Sequence, residues 1–116
     1  TKRGIFLPQR NGADVTAEYT ALALELTIPP VPKLIMIMLS DDVTDSTGLC
    51  SVPLQSLIKS IGITEEHLVW EMYALENYGF ITPYHLSDQP EDWNGNQPAT
   101  FRLNKSQVLK WIETYP

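Results

Sequence analysis

Four consecutive stretches decide how this chain folds: PKLIMIMLSDDV (residues 32–43), TDSTGLCS (44–51), VPLQSLIKSIGI (52–63) and TEEHLVWEMYALENYGFI (64–81). The first is apolar almost all round from Leu34 to Leu39, which suits a central helix buried on several sides. Pro32 fits its first turn, so a helix is predicted over Pro32–Val43. Asp41 to Gly48 is rich in turn formers, and Leu49-Cys50 can be a short strand. Ser51 is a natural N-cap for a second helix with Pro53 in its first turn. In that helix Leu54, Leu57, Ile58 and Ile61 recur at helical spacing. Gly62 then makes the tight turn, and Thr64 caps a third helix with Glu65 and Glu66 near its positive end. Gly79 ends that helix, and Phe80-Ile81-Thr82 starts a strand. A helix, a loop, a second helix, a turn and a third helix form a helix-turn-helix arrangement.

The flanks complete it. Residues 1–13 carry Lys2, Arg3 and Arg10 beside the apolar Ile5, Phe6 and Leu7, and Pro8 and Asn11-Gly12 favour an arm or short strand there. Residues 14–28 read two ways. Leu22, Leu24, Leu26 and Ile28 alternate as in a strand, while Ala17, Glu18, Ala21, Ala23 and Glu25 are helix formers. The balance predicts a helix first, becoming extended before Pro29-Pro30. Residues 86–98 (LSDQPEDWNGNQP) form a polar loop, after which Thr100 to Leu103 can return as a partner strand. Asn104 is expected to cap a last helix whose Val108, Trp111, Ile112 and Tyr115 share a stripe.

From Val31 to Ile81, under half of the chain, this pattern resembles the winged helix-turn-helix domains of phage and plasmid replication or regulatory proteins. The matching pieces are Pro32-Lys33-Leu34, Asp45-Ser46-Thr47-Gly48-Leu49-Cys50 and Leu75-Glu76-Asn77-Tyr78-Gly79-Phe80-Ile81. The resemblance implies a mainly α fold with a small β hairpin (α+β), the wing having two or three strands. Residues 1–30 would be an N-terminal arm and short element, 31–104 the winged-helix core, and 105–116 a C-terminal helix packed on it. It also implies a non-enzymatic, DNA-associated regulator or replication accessory protein of a mobile element, with the third helix reading double-stranded DNA.

The residues of that helix argue against this use. At about 100° per residue, Leu68, Met72 and Leu75 cluster within about 60° and must face the core. Glu65, Glu66, Val69, Trp70 and Tyr73 lie on the outer arc, where major-groove readers usually carry Arg, Lys, Gln, Ser or Asn. Two carboxylates with no adjacent base repel phosphate, and Asp88, Glu91 and Asp92 place more acid near the wing tip. The whole chain points the same way, with fourteen acids against eight bases and a formal charge of −6. DNA contact would then fall to an N-terminal arm (Lys2, Arg3, Arg10) and to Gln55, Ser56 and Lys59 of the second helix. Arg102, Lys105 and Lys110 make a further small basic cluster. The alternative is a protein-protein interaction module using the Glu65, Glu66, Val69, Trp70 and Tyr73 face, because Trp and Tyr dominate interface hot spots. Against both stands the plain reading that residues 1–28 or the wing loop cover Trp70 and Tyr73, and that the bases merely solubilise.

Other chemistry finds little footing. Asp41, Asp42, Asp45, Thr47 and Gly48 lack the alternate-residue spacing and closing Glu of a calcium loop. Cys50, His67 and His85 have no zinc-ligand spacing, and no phosphate loop or nucleophile–base pair stands out. No enzyme activity, metal or cofactor is expected. One cysteine permits no internal disulfide and suits a reducing, cytoplasmic setting. The apolar run Leu34 to Leu39 is too short for a bilayer, and no signal-peptide pattern is visible. Thr1 in place of Met is expected of a processed or trimmed chain. The C-terminal stripe is expected to cover the core, with a homodimer through Trp111 and Tyr115 as a further expectation.

Overall fold

The computed structural model of this chain describes residues 12–83 and 98–116. In the two-way stretch the helix prevails: α1 runs Gly12–Glu25 and buries Val15, Tyr19 and Ala23 while leaving Leu24 exposed. A four-residue spacing keeps those three on one face of a helix, while Ala17 and Ala21, which a strand's two-residue period would put on the same face, are exposed. The Pro29-Pro30 break follows, and Pro30 opens α2 (Pro30–Ser40) at the first helical position, where its missing N–H costs no hydrogen bond. This helix starts and stops earlier than the expected 32–43. Its end is set by Asp42 and Val43, whose N–H groups donate to Leu39 and Ser40 carbonyls at 3.1 Å in a tightened last turn. Pro32, Ile35, Met36 and Leu39 are buried, whereas Leu34 faces out.

After a loop, β1 (Leu49–Pro53) is longer than the two residues expected, and this moves the start of the next helix. Ser51 is not an N-cap. It sits in β1 opposite Thr100, its hydroxyl 3.1 Å from the Thr100 hydroxyl, and its N–H donates to the Asp42 carboxylate at 2.7 Å. Pro53 takes the cap position of α3 (Leu54–Ile61), which buries Leu57 and half-buries Leu54, Ile58 and Ile61. Gly62 turns the chain into α4 (Glu65–Tyr78), whose Leu68, Met72 and Leu75 are buried as its periodicity predicts.

The strands β2 (Ile81–Pro83) and β3 (Pro98–Leu103) pair antiparallel, with Ile81 opposite Leu103. The β1 strand joins the other edge of β3, Leu49 opposite Arg102, so the order is β1-β3-β2. Gly48 leads into this sheet at φ +78°, with the Leu103 N–H on its carbonyl at 2.8 Å. A Cβ there would lie 2.5 Å from the Leu103 carbonyl oxygen, so glycine is required by both backbone and space.

Last comes α5 (Lys105–Thr114). Asn104 stands at its N-cap position, but its side chain does not cap it: Nδ2 donates to the Gly79 carbonyl at 2.8 Å and to Thr82 Oγ1 at 2.9 Å. The residue therefore ties α5 to the exit of α4. The described residues form a mainly helical α+β fold in which α1, α2, α3, α4, α5 and the sheet share one core, centred on Leu26, Ile35, Leu39, Leu57, Leu68, Leu75 and Phe80.

Candidate functional site

The outer face of α4 is built by its own caps. Thr64 is extended, and its Oγ1 accepts the His67 N–H at 3.0 Å, satisfying one of the first-turn donors. Gly79, left-handed at φ 84°, closes the other end. Between them Leu68, Met72 and Leu75 pin one side to the core, and this fixes where the other side points. Glu65, Glu66, Val69, Trp70 and Tyr73 are all exposed, Trp70 at 70% and Tyr73 at 57%. No described segment covers these two rings. They sit three residues apart, with Glu66 one turn before Trp70 and Val69 one turn before Tyr73, so the five side chains form one contiguous patch.

The patch is acidic as well as aromatic. The helix carries Glu65, Glu66, Glu71 and Glu76 and no Lys or Arg. Of these, Glu71 is engaged by His67, Nε2 to Oε2 at 3.0 Å, on another side of the helix. Among the described residues no cation pairs with Glu65 or Glu66.

Two further aromatic groups need separating from this face. Tyr78 stacks on Phe80 at 5.1 Å between ring centroids, and Trp111 meets both edge-on at 5.0 and 5.6 Å. Trp111 is half-buried and spends its ring holding α5 to the core, while Tyr115 stays outward, 4.3 Å from it. The Tyr115 carbonyl accepts the Thr27 hydroxyl at 2.7 Å. Trp111 and Tyr115 thus serve the seam between α5 and the rest of the domain.

The basic candidates divide three ways. Gln55, Ser56 and Lys59 are exposed and share an arc of about 100° on α3. Lys2, Arg3 and Arg10 lie outside the described residues, as do His85 and, in the expected wing loop, Asp88, Glu91 and Asp92. The cluster of Arg102, Lys105 and Lys110 loses its middle member: Lys105 is paired with Glu18 and lies 5.9 Å over the Tyr19 ring. That grouping could not be foreseen, since Glu18 and Lys105 are far apart in the chain. Together with Asp45 they line a half-open cleft of about 330 Å³ in which burial raises the Tyr19 hydroxyl above its ordinary pKa.

The acidic loop is spent on its own shape. Asp45 accepts both the hydroxyl and the N–H of Thr47, the latter at 2.9 Å, and these bonds hold its carboxyl below the ordinary range. Asp42 is held by Ser51. Among the described residues no group of His, Cys, Asp and Glu side chains is placed to hold a metal ion. Cys50 is buried, and desolvation pushes its thiol up to about 12. No described helix is long and apolar enough to cross a membrane. Comparison with protein-family models, with curated proteins and with solved structures gives no match.

Proposed function

We propose that this chain is a winged helix-turn-helix domain that works as a protein-interaction module, with the outer face of α4 as its contact surface. The order α2, β1, α3, α4, β2, β3 agrees with that fold, and α4 stands where such domains carry their recognition helix. One observation carries the functional reading: Trp70 and Tyr73 are held in water beside Glu65 and Glu66, on a helix with no Lys or Arg. A helix meant for a DNA groove gains its affinity from neutralised phosphates, and this one would add charge to them. An exposed indole and phenol, rigid and amphipathic, are instead the side chains that anchor protein contacts.

A second reading rests on a different helix. Gln55, Ser56 and Lys59 share one exposed face of α3, so a DNA-associated regulator or replication accessory protein of a mobile element could grip the duplex backbone there. The two are separated by titrating a labelled duplex into isotope-labelled protein at low salt and following backbone amide shifts. Shifts at Gln55, Ser56 and Lys59 that vanish with added salt would favour the second reading. Duplex-induced shifts centred on Val69, Trp70 and Tyr73 would sink the first.

A further inference from the structure

The α4 patch has a chemistry that selects its partner, and we propose that it docks a cationic, arginine-bearing segment of another protein. The inference rests on α4 being a protein-contact face, and it names what that face takes. Charge complementarity at close range selects the occupant. Glu65 and Glu66 occupy the first turn, and neither has a cationic partner among the described residues. One turn further on, Trp70 offers a face that is 70% exposed, the aromatic surface that attracts cations most strongly. A guanidinium laid flat on that indole has the Glu66 carboxylate one helical turn away, so a single group satisfies both. Arginine suits this better than lysine, because its planar, weakly hydrated head stacks and hydrogen-bonds at once. Val69 and Tyr73 continue the patch along the same ridge and supply apolar area for the aliphatic stem or a neighbouring apolar residue. The domain as a whole, at −6, also draws a basic partner and repels an acidic one.

The other surfaces compete poorly. The cleft beside Tyr19 already holds its own cation, Lys105, paired with Glu18. Trp111 is committed to the aromatic cluster under α5. Cys50 lies buried.

The test uses the full chain, isotope-labelled, and three synthetic peptides with one sequence of alternating Leu and a variable residue: Arg, Lys or the neutral isostere citrulline. Binding is read from α4 amide shifts in wild type, Trp70→Ala and the Glu65→Gln/Glu66→Gln double variant. All five substituted or flanking side chains are exposed, so circular dichroism should show each variant folded. The expected result is that the Arg peptide shifts α4 amides, binds more tightly than the Lys peptide, and loses about tenfold or more in affinity with Trp70→Ala. The double variant should weaken it too, and citrulline should not bind. Equal binding of the citrulline peptide at Trp70 would overturn the cationic assignment while leaving α4 a protein-contact face. Arg-peptide binding that is indifferent to Trp70→Ala would overturn it as general charge attraction. A wild-type dimer in sedimentation that Trp70→Ala converts to monomer would make a second copy the occupant, also overturning it. Duplex DNA on α4 would remove both this inference and the reading beneath it.

Discussion

Trp70 and Leu68 sit two positions apart on α4 and answer to different demands, so their substitutions should separate cleanly. Leu68 is fully buried, and Leu68→Ala should cost about 2–5 kcal/mol in urea unfolding, through lost transfer energy and the cavity left behind. Trp70→Ala removes an exposed ring and should change stability by no more than about 0.5 kcal/mol while removing the proposed interaction. A large loss of stability with Trp70→Ala would mean that the indole serves the fold. Cys50 gives a prediction about pH. Its folded pKa is raised from 9.0 to about 12, so the folded state favours the protonated thiol. That contribution is fully present below about pH 9 and is lost as pH climbs toward 12. Unfolding midpoints measured across that window should fall. Alkylation at pH 8 should be slow in the native protein and fast in denaturant, and a native rate matching the denatured one would contradict the buried placement.

At the level of elements, the local signals and the distant ones fared differently. The bounds of α4 were legible because Thr64 and Gly79 act on backbone groups within one turn of themselves. Thr64→Ala should therefore cost about 1 kcal/mol, measured by chemical denaturation. The face that α4 buries was legible for the same reason, since a run of Leu68, Met72 and Leu75 has no other way to share one side. Ser51 and Asn104 misled because each has two possible employers and the stronger one is remote. Ser51 is claimed by Asp42 and Thr100 across the sheet, and Asn104 by Gly79 and Thr82. No pattern within a few residues announces such partners. For Asn104 the diversion is testable: Asn104→Ala should destabilise the fold by more than removal of a cap alone, because it frees a carbonyl and a hydroxyl at the α4 exit. Asn104→Ser, able to cap but too short to span, should not restore stability in the same assay. Of the candidate contact residues, the exposure of the α4 arc followed from periodicity. The withdrawal of Lys105 from the basic set did not, because its partner Glu18 comes from the other end of the chain.

For the whole molecule, net charge sets the terms of any encounter. A labelled duplex titrated at low salt should show weak anisotropy change at most, and Lys59→Ala should reduce whatever is seen. Tight binding that persists at high salt would reverse the interaction reading outright. The sheet order carries a consequence of another kind. Because β3 lies between β1 and β2, both of its neighbours are made before it and have no one to pair with until it arrives. The helices can close early through short-range contacts, but Gly48 waits for Leu103 and Phe80 for Asn104. On a ribosome, therefore, a nascent chain whose visible end falls short of residue 98 carries two unpaired strands, β1 and β2. Such a chain is open to mispairing with other chains until the six residues of β3 emerge and cover both strands at once.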